Sequence, residues 1–331
     1  MKQLLTKPIL AIAILSLIMM SAYAIVPSIN AVQVGVPAYK ISETRSGLVK
    51  YDSLTTGNTN YWTFGGDAIA EKAPYIYSED SNGLHIGVQG AINGQWAGFY
   101  AVSPDTNAQL FHAIITLPYT SISDNSFDTG LYVQTSAPYI NYVSCGAGVD
   151  KEGYWWAVVQ TYGDSTHATK FNVLYFQWEN NQPLTRDCTI ITNGQNFLKV
   201  YLDGTLVYSN NTMNLKMPSP FNAYLEVQTS SSSAMRFSTY IDYYATLSGV
   251  VTVNNVPPAS TVEIVGSNGN TLASAQTPFS CTSCQVNLDV GKYFFPLTNA
   301  YIQVYISGVQ VATTSAIAIW GGDVYSLSLG P

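Results

Sequence analysis

Residues 196–208, with the sequence NFLKVYLDGTLVY, contain the clearest strand-turn-strand pattern in the chain. From Leu198 to Leu202, apolar residues alternate with lysine and tyrosine, which is the period of a β-strand with one buried face. Asp203-Gly204 follows directly, and this dipeptide is typical of a type I′ turn, in which both central residues take a positive φ. The stretch therefore predicts two antiparallel strands joined by a tight turn.

Short alternating or β-branched runs of the same kind recur along the chain, and helical periodicity is almost absent after residue 24. Gly, Asn, Asp, Ser and Pro separate them, which predicts an all-β fold of the sandwich or jelly-roll type. The candidate strands are Leu84–Gln89, Gly98–Val102, Leu110–Leu117, Gly130–Thr135, Ile140–Cys145, Tyr154–Thr161, Phe171–Trp178, Phe197–Leu202, Ala223–Thr229 and Met235–Tyr244.

The hairpin at 196–208 resembles the VYLDGxLV hairpin of the concanavalin A-like lectin and glucanase superfamily, and residues 240–244, YIDYY, resemble the closing strand of its jelly rolls. The resemblance covers about residues 45–246 and implies a jelly-roll sandwich. In the glucanase branch the Asp of that closing strand helps to hold a structural calcium ion, so Asp242 is a candidate metal ligand. The alternative is an Asp that forms hydrogen bonds at a strand edge. No other cofactor is implied.

The strand pattern restarts near Thr246, which predicts a domain at 25–246 and a smaller β-sandwich domain at 247–331. Residues 249–258 are similar to the opening of carboxypeptidase-regulatory-like and transthyretin-like modules. This resemblance implies that the C-terminal domain is a spacer or an attachment unit.

The first 24 residues predict a signal peptide, because Lys2 and Lys7 precede an uncharged run from Pro8 to Met20 and then Ala22-Tyr23-Ala24. The run is short for a membrane anchor, which needs roughly 20 apolar residues. We therefore expect a secreted or cell-surface protein with no transmembrane segment after cleavage; a retained anchor is the alternative.

The cysteines and one sequon agree with export. We predict two disulfides, Cys145 with Cys188 and Cys281 with Cys284, since an even number of cysteines in a secreted chain is usually paired. A redox motif or a zinc half-site at Cys281 and Cys284 is the alternative. Asn210-Asn211-Thr212 is a predicted N-glycosylation site at Asn210.

Charged residues make up only 10% of the chain, and the formal net charge is −7. Neutral polar residues thus provide most of the polar surface, and one hypothesis is that the protein works in acid. The 13 Lys and Arg residues form no cluster, which argues against a nucleic-acid partner or an anionic membrane surface.

No catalytic motif is found in the sequence. The Glu-x-Asp-x-x-Glu strand of the superfamily's glucanases is absent, and Asp150 and Glu152 are expected in a hairpin turn with Gly153. His85, His112 and His167 lie in separate segments without metal-ligand spacing. We therefore predict no catalytic residues.

Side-chain alternation predicts instead a binding face on the outside of the sandwich. Aromatic rings stack on the apolar faces of sugars, and amides or carboxylates bind their hydroxyls. The residues expected on this face are Tyr132, Gln134, Trp156, Gln160, Tyr175, Gln177, Tyr201, Tyr224, Glu226 and Gln228.

These features favour a non-enzymatic, secreted or surface-attached protein that binds a glycan or a cell-surface polysaccharide. The first alternative is a self-associating subunit of a surface layer or filament, in which alternating Val32, Val34 and Val36 add as a strand to a neighbour. The second is a secreted glycoside hydrolase whose carboxylate pair, within about 5 to 10 Å, is not apparent from sequence.

Overall fold

The computed structural model describes residues 37–90, 96–117, 127–135, 141–163, 168–180, 184–230 and 234–330. The predicted signal peptide and the Val32–Val36 segment lie outside these residues. The first sixteen strands are β1 (Tyr39–Arg45), β2 (Leu48–Asp52), β3 (Thr63–Gly65), β4 (Tyr75–Asp80), β5 (Gly83–Val88), β6 (Ala97–Val102), β7 (Leu110–Leu117), β8 (Phe127–Thr135), β9 (Tyr142–Asp150), β10 (Gly153–Gly163), β11 (Ala168–Glu179), β12 (Leu184–Thr192), β13 (Leu198–Leu202), β14 (Thr205–Asn210), β15 (Phe221–Thr229) and β16 (Arg236–Thr246).

The remaining strands are β17 (Val250–Val256), β18 (Ser260–Val265), β19 (Thr271–Gln276), β20 (Cys284–Asp289), β21 (Leu297–Ile306), β22 (Val309–Thr313), β23 (Ile317–Ile319) and β24 (Val324–Leu329). Helix is limited, in the described residues, to α1 (Asp67–Ala70) and a 3-10 turn at Thr59–Tyr61. The all-β prediction is confirmed. None of the helices in the described ranges is long and apolar enough to span a membrane.

Two antiparallel sheets form the jelly-roll sandwich. One has the strand order β11-β10-β9-β8-β15-β6-β3, and the other has the order β14-β13-β12-β7-β16-β5-β4, with β2 added beside β16. Alternate residues of both sheets, such as Leu131, Leu225 and Ile190, are fully buried in the core between them. Each sheet therefore keeps a second, outward face.

The hairpin turns form where the residue types predict them. Asp203 and Gly204 have φ values of 49° and 69°, as the type I′ turn requires, and Leu202 pairs with Thr205 across it. Asp150 pairs with Gly153, and the Asp150 carboxylate accepts a 2.7 Å hydrogen bond from the Glu152 N–H. Asp150 and Glu152 thus lie in a turn, as expected.

Both predicted disulfides are present. Cys145 on β9 is bonded to Cys188 on β12, so this bridge connects the two sheets through the core, where both residues have no exposed surface. Cys281 is bonded to Cys284 at the start of β20.

The C-terminal strands form two further sheets, with the orders β1-β24-β17-β20 and β19-β18-β21-β22, and β23 pairs with β21. Strand β1 precedes the jelly roll in the chain but pairs along β24, from Tyr39 opposite Leu329 to Arg45 opposite Val324. The Asp323 carboxylate accepts a 2.6 Å hydrogen bond from the Gly47 N–H just after β1. The domain boundary near Thr246 stays a prediction, and β1 belongs to the C-terminal sheet.

The C-terminal strands share a second core with the outside of the eight-stranded sheet. Along β7, β12 and β16, one residue enters the jelly-roll core and its neighbour enters this second core, as Phe111 and Leu110 show. We call this covered surface the junction face; its buried residues are Leu110, Ile191, Tyr201 and Tyr244. On the opposite side of the sandwich, the seven-stranded sheet has its own outward face.

Candidate functional site

Strands β8 and β15 place five of the ten predicted binding residues on the outward face of the seven-stranded sheet, which we call the aromatic face. Tyr224 pairs directly with Tyr132, and the alternate residues Leu131, Val133, Leu225 and Val227 have no exposed surface. Residues paired across antiparallel strands share one side of the sheet. The half-buried residues brought together are Tyr132, Gln134, Tyr224, Glu226 and Gln228.

The same register adds residues that sequence reasoning missed. Tyr100 on β6 pairs with Glu226, and Tyr142 on β9 pairs with Gln134. Asp128 on β8 pairs with Gln228. All three have the same strand phase as the five predicted residues. Tyr100 and Tyr142 lie within predicted strands, so their phase could have identified them, whereas Asp128 lies two residues before the predicted strand Gly130–Thr135.

The orientation predicted for β10 is wrong. Trp156 has no exposed surface and Gln160 only 4%, and both point into the sandwich, while Trp155 points outward. Gln160 Nε2 donates a 3.4 Å hydrogen bond to the Asn214 carbonyl. The prediction failed because both sides of this strand are apolar, so alternation alone did not distinguish them.

Two residues of β11 are also oriented differently from the prediction. Gln177 pairs with Trp156 and Tyr175 pairs with Val158, so both share the inward side of the sheet. The Tyr175 hydroxyl donates a hydrogen bond to Gln177 Oε1. At this edge of the sandwich they do not belong to the aromatic face.

Tyr201 lies on the other sheet. It points away from the jelly-roll core, as predicted, but is only 6% exposed because the C-terminal strands cover it at the junction face. It cannot take part in a site with the residues of β8 and β15.

Several rings of the aromatic face lie over glycines. A Cβ atom at Gly148 would be 2.2 Å from Trp155 Cζ2, and one at Gly65 would be 3.0 Å from the Tyr100 ring. A Cβ at Gly130 would lie 3.1 Å from Tyr132 Cε2. The missing side chains leave space for these rings to lean across the sheet, which brings aromatic surface toward solvent.

An open cavity of about 340 Å³ lies among these rings. Tyr132 meets Tyr142 edge-to-face at a centroid distance of 5.2 Å, and Tyr100 meets Tyr224 in the same way at 4.9 Å. The cavity is lined by aromatic, small and polar groups, among them Trp96, Asp128, Tyr132, Tyr142, Trp155, Phe171 and Gln228.

Carboxyl groups approach each other beside this cavity. A Cβ at Gly98 would lie 3.0 Å from Glu226 Oε1 and 3.1 Å from Asp67 Oδ1. The two oxygens can be no farther apart than these distances combined, so the two carboxyl groups are close neighbours. Asp67 is at the start of α1 and accepts a 3.1 Å hydrogen bond from the Gly98 N–H. No sequence spacing connects Asp67 with Glu226.

Burial and repulsion from neighbouring acids keep Glu226 and Asp128 protonated at unusually high pH. Burial, with repulsion from Asp67 and Asp128, raises the pKa of Glu226 to about 8, although Gln228 Nε2 donates a 2.9 Å hydrogen bond to it. Burial and the charge of Asp150 raise the pKa of Asp128 to about 7. In weakly acidic solution both groups are neutral and can donate as well as accept hydrogen bonds.

The predicted metal and glycosylation positions lie away from this face. Tyr51 donates a 3.1 Å hydrogen bond to Asp242 Oδ1, and the described residues contain no group of three His, Cys, Asp or Glu side chains suited to a metal ion. Asn210 Oδ1 accepts hydrogen bonds from the Thr212 N–H and hydroxyl, at 2.8 and 3.0 Å. Calcium binding at Asp242 and glycosylation at Asn210 stay predictions.

No protein-family model and no curated protein sequence matches the chain. Among solved structures it is similar to an endo-β-1,3-glucanase from Pyrococcus furiosus, with 14% identity, coverage of 65% of this chain and 100% of that chain, and a TM-score of 0.42. It is also similar to a β-glucanase from Bacillus licheniformis, with 10% identity, coverage of 62% and 99%, and a TM-score of 0.40. A carbohydrate-binding module, CBM66, from Bacillus subtilis matches with 10% identity, coverage of 58% and 98%, and a TM-score of 0.35.

Proposed function

We propose that the aromatic face binds a carbohydrate and that the protein acts outside the cell as a glycan-binding or adhesive protein. The observation that carries the proposal is the placement over glycines of the Trp155 and Tyr132 rings, both of which line an open cavity. Rings that lie across a sheet present their faces, and the apolar face of a pyranose stacks on such a surface.

Polar groups beside the rings can position the sugar hydroxyls. Gln228 and Asp128 line the cavity, and Glu226 is hydrogen-bonded to Gln228. An amide and protonated carboxyls offer both donors and acceptors, which suits hydroxyl groups. Because burial raises the pKa of Glu226 to about 8, we expect a preference for uncharged glycans in acid and neutral solution.

Binding is tested with a panel of neutral polysaccharides and oligosaccharides by isothermal titration calorimetry at pH 5 and pH 7. We expect Trp155→Ala to lower affinity roughly tenfold, as loss of about 1.4 kcal/mol would, and Trp155→Phe to retain most of it. Phe279→Ala is the matched control, because Phe279 is 89% exposed in the C-terminal region. A panel without any ligand, or equal affinity for wild type and Trp155→Ala, would contradict the proposal.

Glycoside hydrolysis is a second candidate function, favoured by the proximity of Glu226 to Asp67. With its raised pKa of about 8, Glu226 has the protonated form that a general acid needs, and Asp67 would be the second carboxyl. Release of reducing ends from a polysaccharide that the protein binds tests this role. Glu226→Gln should abolish release while binding persists, whereas a wild-type protein that binds but releases none would exclude hydrolysis of that glycan.

A further inference from the structure

Strand β11 is the outer edge of the seven-stranded sheet, and within the described ranges only β10 pairs with it. Proteins generally protect such edges with charges, prolines or short strands, because the free N–H and C=O groups can pair with another strand. This edge instead carries a row of exposed apolar side chains: Phe171, Val173, Phe176 and Trp178, which are 72%, 59%, 45% and 45% exposed.

A β-bulge puts this row on one side of the sheet. Val158 pairs with Tyr175, while the next residue, Val159, pairs with Val173, so Leu174 is an extra residue in β11. The extra residue shifts the alternation by one. Phe171 and Val173 consequently share the aromatic face with Phe176 and Trp178, although two residues lie between Val173 and Phe176, which in a regular strand would put them on opposite faces.

Strand β11 has chemically matching residues at equal distances on either side of its centre, which lies between Leu174 and Tyr175. Opposite charges, aromatic residues, amides and apolar residues then occupy equivalent positions. The matching positions are Lys170 with Glu179, Phe171 with Trp178, Asn172 with Gln177, Val173 with Phe176, and Leu174 with Tyr175.

We infer that two copies of the chain associate through β11, antiparallel and edge to edge, around a two-fold axis between Leu174 and Tyr175. The exposed edge pairs with an identical edge, and each matching position meets its counterpart on the second copy. The apolar row then lies beside the same row of the second copy, so that each apolar side chain meets an apolar counterpart, as an isologous interface requires.

Charge complementarity favours a second copy as the occupant of this edge. Lys170 of each copy lies opposite Glu179 of the other, so the interface has one pair of opposite charges at each end. Within its own chain, Glu179 Oε1 accepts a 2.5 Å hydrogen bond from Arg186 Nη2.

The association would join two aromatic faces in one continuous sheet. Phe171 belongs both to the apolar row and to the lining of the 340 Å³ cavity, so each cavity would lie beside the two-fold axis. Association through the edge strand does not require the aromatic face to bind a carbohydrate.

The test is the oligomeric state of the purified chain by sedimentation velocity over a range of concentrations. We expect a dimer for the wild type, a monomer for Val173→Lys, and a dimer for Leu206→Lys, a matched change on β14 at the edge of the other sheet. Circular dichroism and the melting temperature verify that each variant is folded. A wild type that is monomeric at every concentration, or a folded Val173→Lys that remains dimeric, would overturn the inference.

Two further variants test the register. The double variant N172C/Q177C should form a covalently linked dimer on oxidation, and neither single variant should, because position 172 meets position 177 of the other copy. K170E should weaken the dimer severalfold, because it puts two acidic side chains opposite each other at each end of the interface. Cross-linking by either single cysteine alone, or no cross-link in the double variant, would exclude this register.

Discussion

The two outward faces of the sandwich use similar aromatic residues in different ways. At the junction face, Tyr244 is fully buried; its ring stacks on His112 at 4.3 Å, and its hydroxyl accepts a 3.2 Å hydrogen bond from the Phe295 N–H. On the aromatic face, Tyr100 and Tyr132 stay half-buried, and Tyr132 lines an open cavity. The comparison indicates that one face stabilises the fold and that the other remains available for a ligand.

The partners of the carboxylates also differ between the two faces. Asp289 forms a 2.7 Å ion pair with Lys199 beside the junction face, and Arg186 of β12 bridges Asp203 and Glu179, the latter on β11 of the other sheet. On the aromatic face, Glu226 is held by an amide and lies near other acids, which raise its pKa. Ion pairs of this kind stabilise a surface modestly, whereas clustered acids in a cavity are suited to a ligand or to chemistry.

Truncation of Tyr244 should produce the largest loss of stability. Tyr244→Ala leaves a cavity in the second core, and we expect the free energy of unfolding to fall by about 3 to 5 kcal/mol. Tyr244→Phe removes only the hydroxyl and should cost about 1 kcal/mol. Chemical denaturation measures both, with Tyr100→Ala as the matched change on the aromatic face. Equal losses for Tyr244→Ala and Tyr100→Ala would remove the distinction between the faces.

Gly148→Ala should have the next largest effect, because its Cβ would lie 2.2 Å from Trp155 Cζ2. Overpacking of this kind costs about 1 to 3 kcal/mol, and the indole must move. The melting temperature should therefore fall, and glycan affinity should fall about as much as in Trp155→Ala. In the double variant G148A/W155A the clash is absent, so stability should recover; additive losses would show that the ring does not lie over Gly148.

The acids of the aromatic face should make stability depend on pH. Unfolded carboxyls ionise near pH 4 to 4.5, but folding raises the pKa of Glu226 to about 8 and that of Asp128 to about 7. At pH values between the unfolded and folded pKa values, the folded state binds more protons than the unfolded state. Its stability therefore rises as the pH falls. Burial lowers the pKa of His112 from 6.5 to about 3, which opposes this gain below pH 6.5.

The melting temperature should consequently rise from pH 8 to pH 6.5 and more slowly below that. Glu226→Gln should reduce the rise by a few degrees, while Glu152→Gln, in an exposed turn, should leave it unchanged. A melting temperature that falls between pH 8 and pH 6.5 would contradict the assignment of raised pKa values to these acids.

The Lys199–Asp289 ion pair beside the junction face should contribute least to the free energy of unfolding. Asp289 has a side chain that is 52% exposed, so loss of its 2.7 Å contact in Lys199→Ala should cost roughly 0.2 to 1 kcal/mol. The effect should shrink in high salt, as thermal unfolding at two ionic strengths would show. A loss larger than that of Tyr244→Phe would mean that charge, and not packing, dominates the junction.

The sequence predicted the aromatic face well where one side of a strand is apolar and the other is polar. On β8 and β15, aliphatic Leu131, Val133 and Leu225 alternate with polar or aromatic residues, so the phase is unambiguous. On β10, Trp155 and Trp156 are equally apolar, and the deciding information is on the next strand, where Gly148 leaves space for only one of them.

Two other features were not predicted from the sequence, because they depend on how distant strands pair. Strand β12 is buried on both sides of its second half, so it lacks the alternation that identifies a strand, and the sequence prediction omitted it. Asp67 reaches Glu226 only because β3 and β6 pair at the edge of the sheet. Long-range pairing of this kind leaves no local pattern in a single sequence.

The pairing of β1 with β24 determines how the molecule responds to mechanical force. Tyr39, the first residue of β1, lies opposite Leu329, the last residue of β24. A pull on these two residues in opposite directions loads one residue pair at a time, so the strands unzip at low force. Force applied between the aromatic face and Leu329 would instead be transmitted through the packed second core. That core unfolds only when many contacts break together.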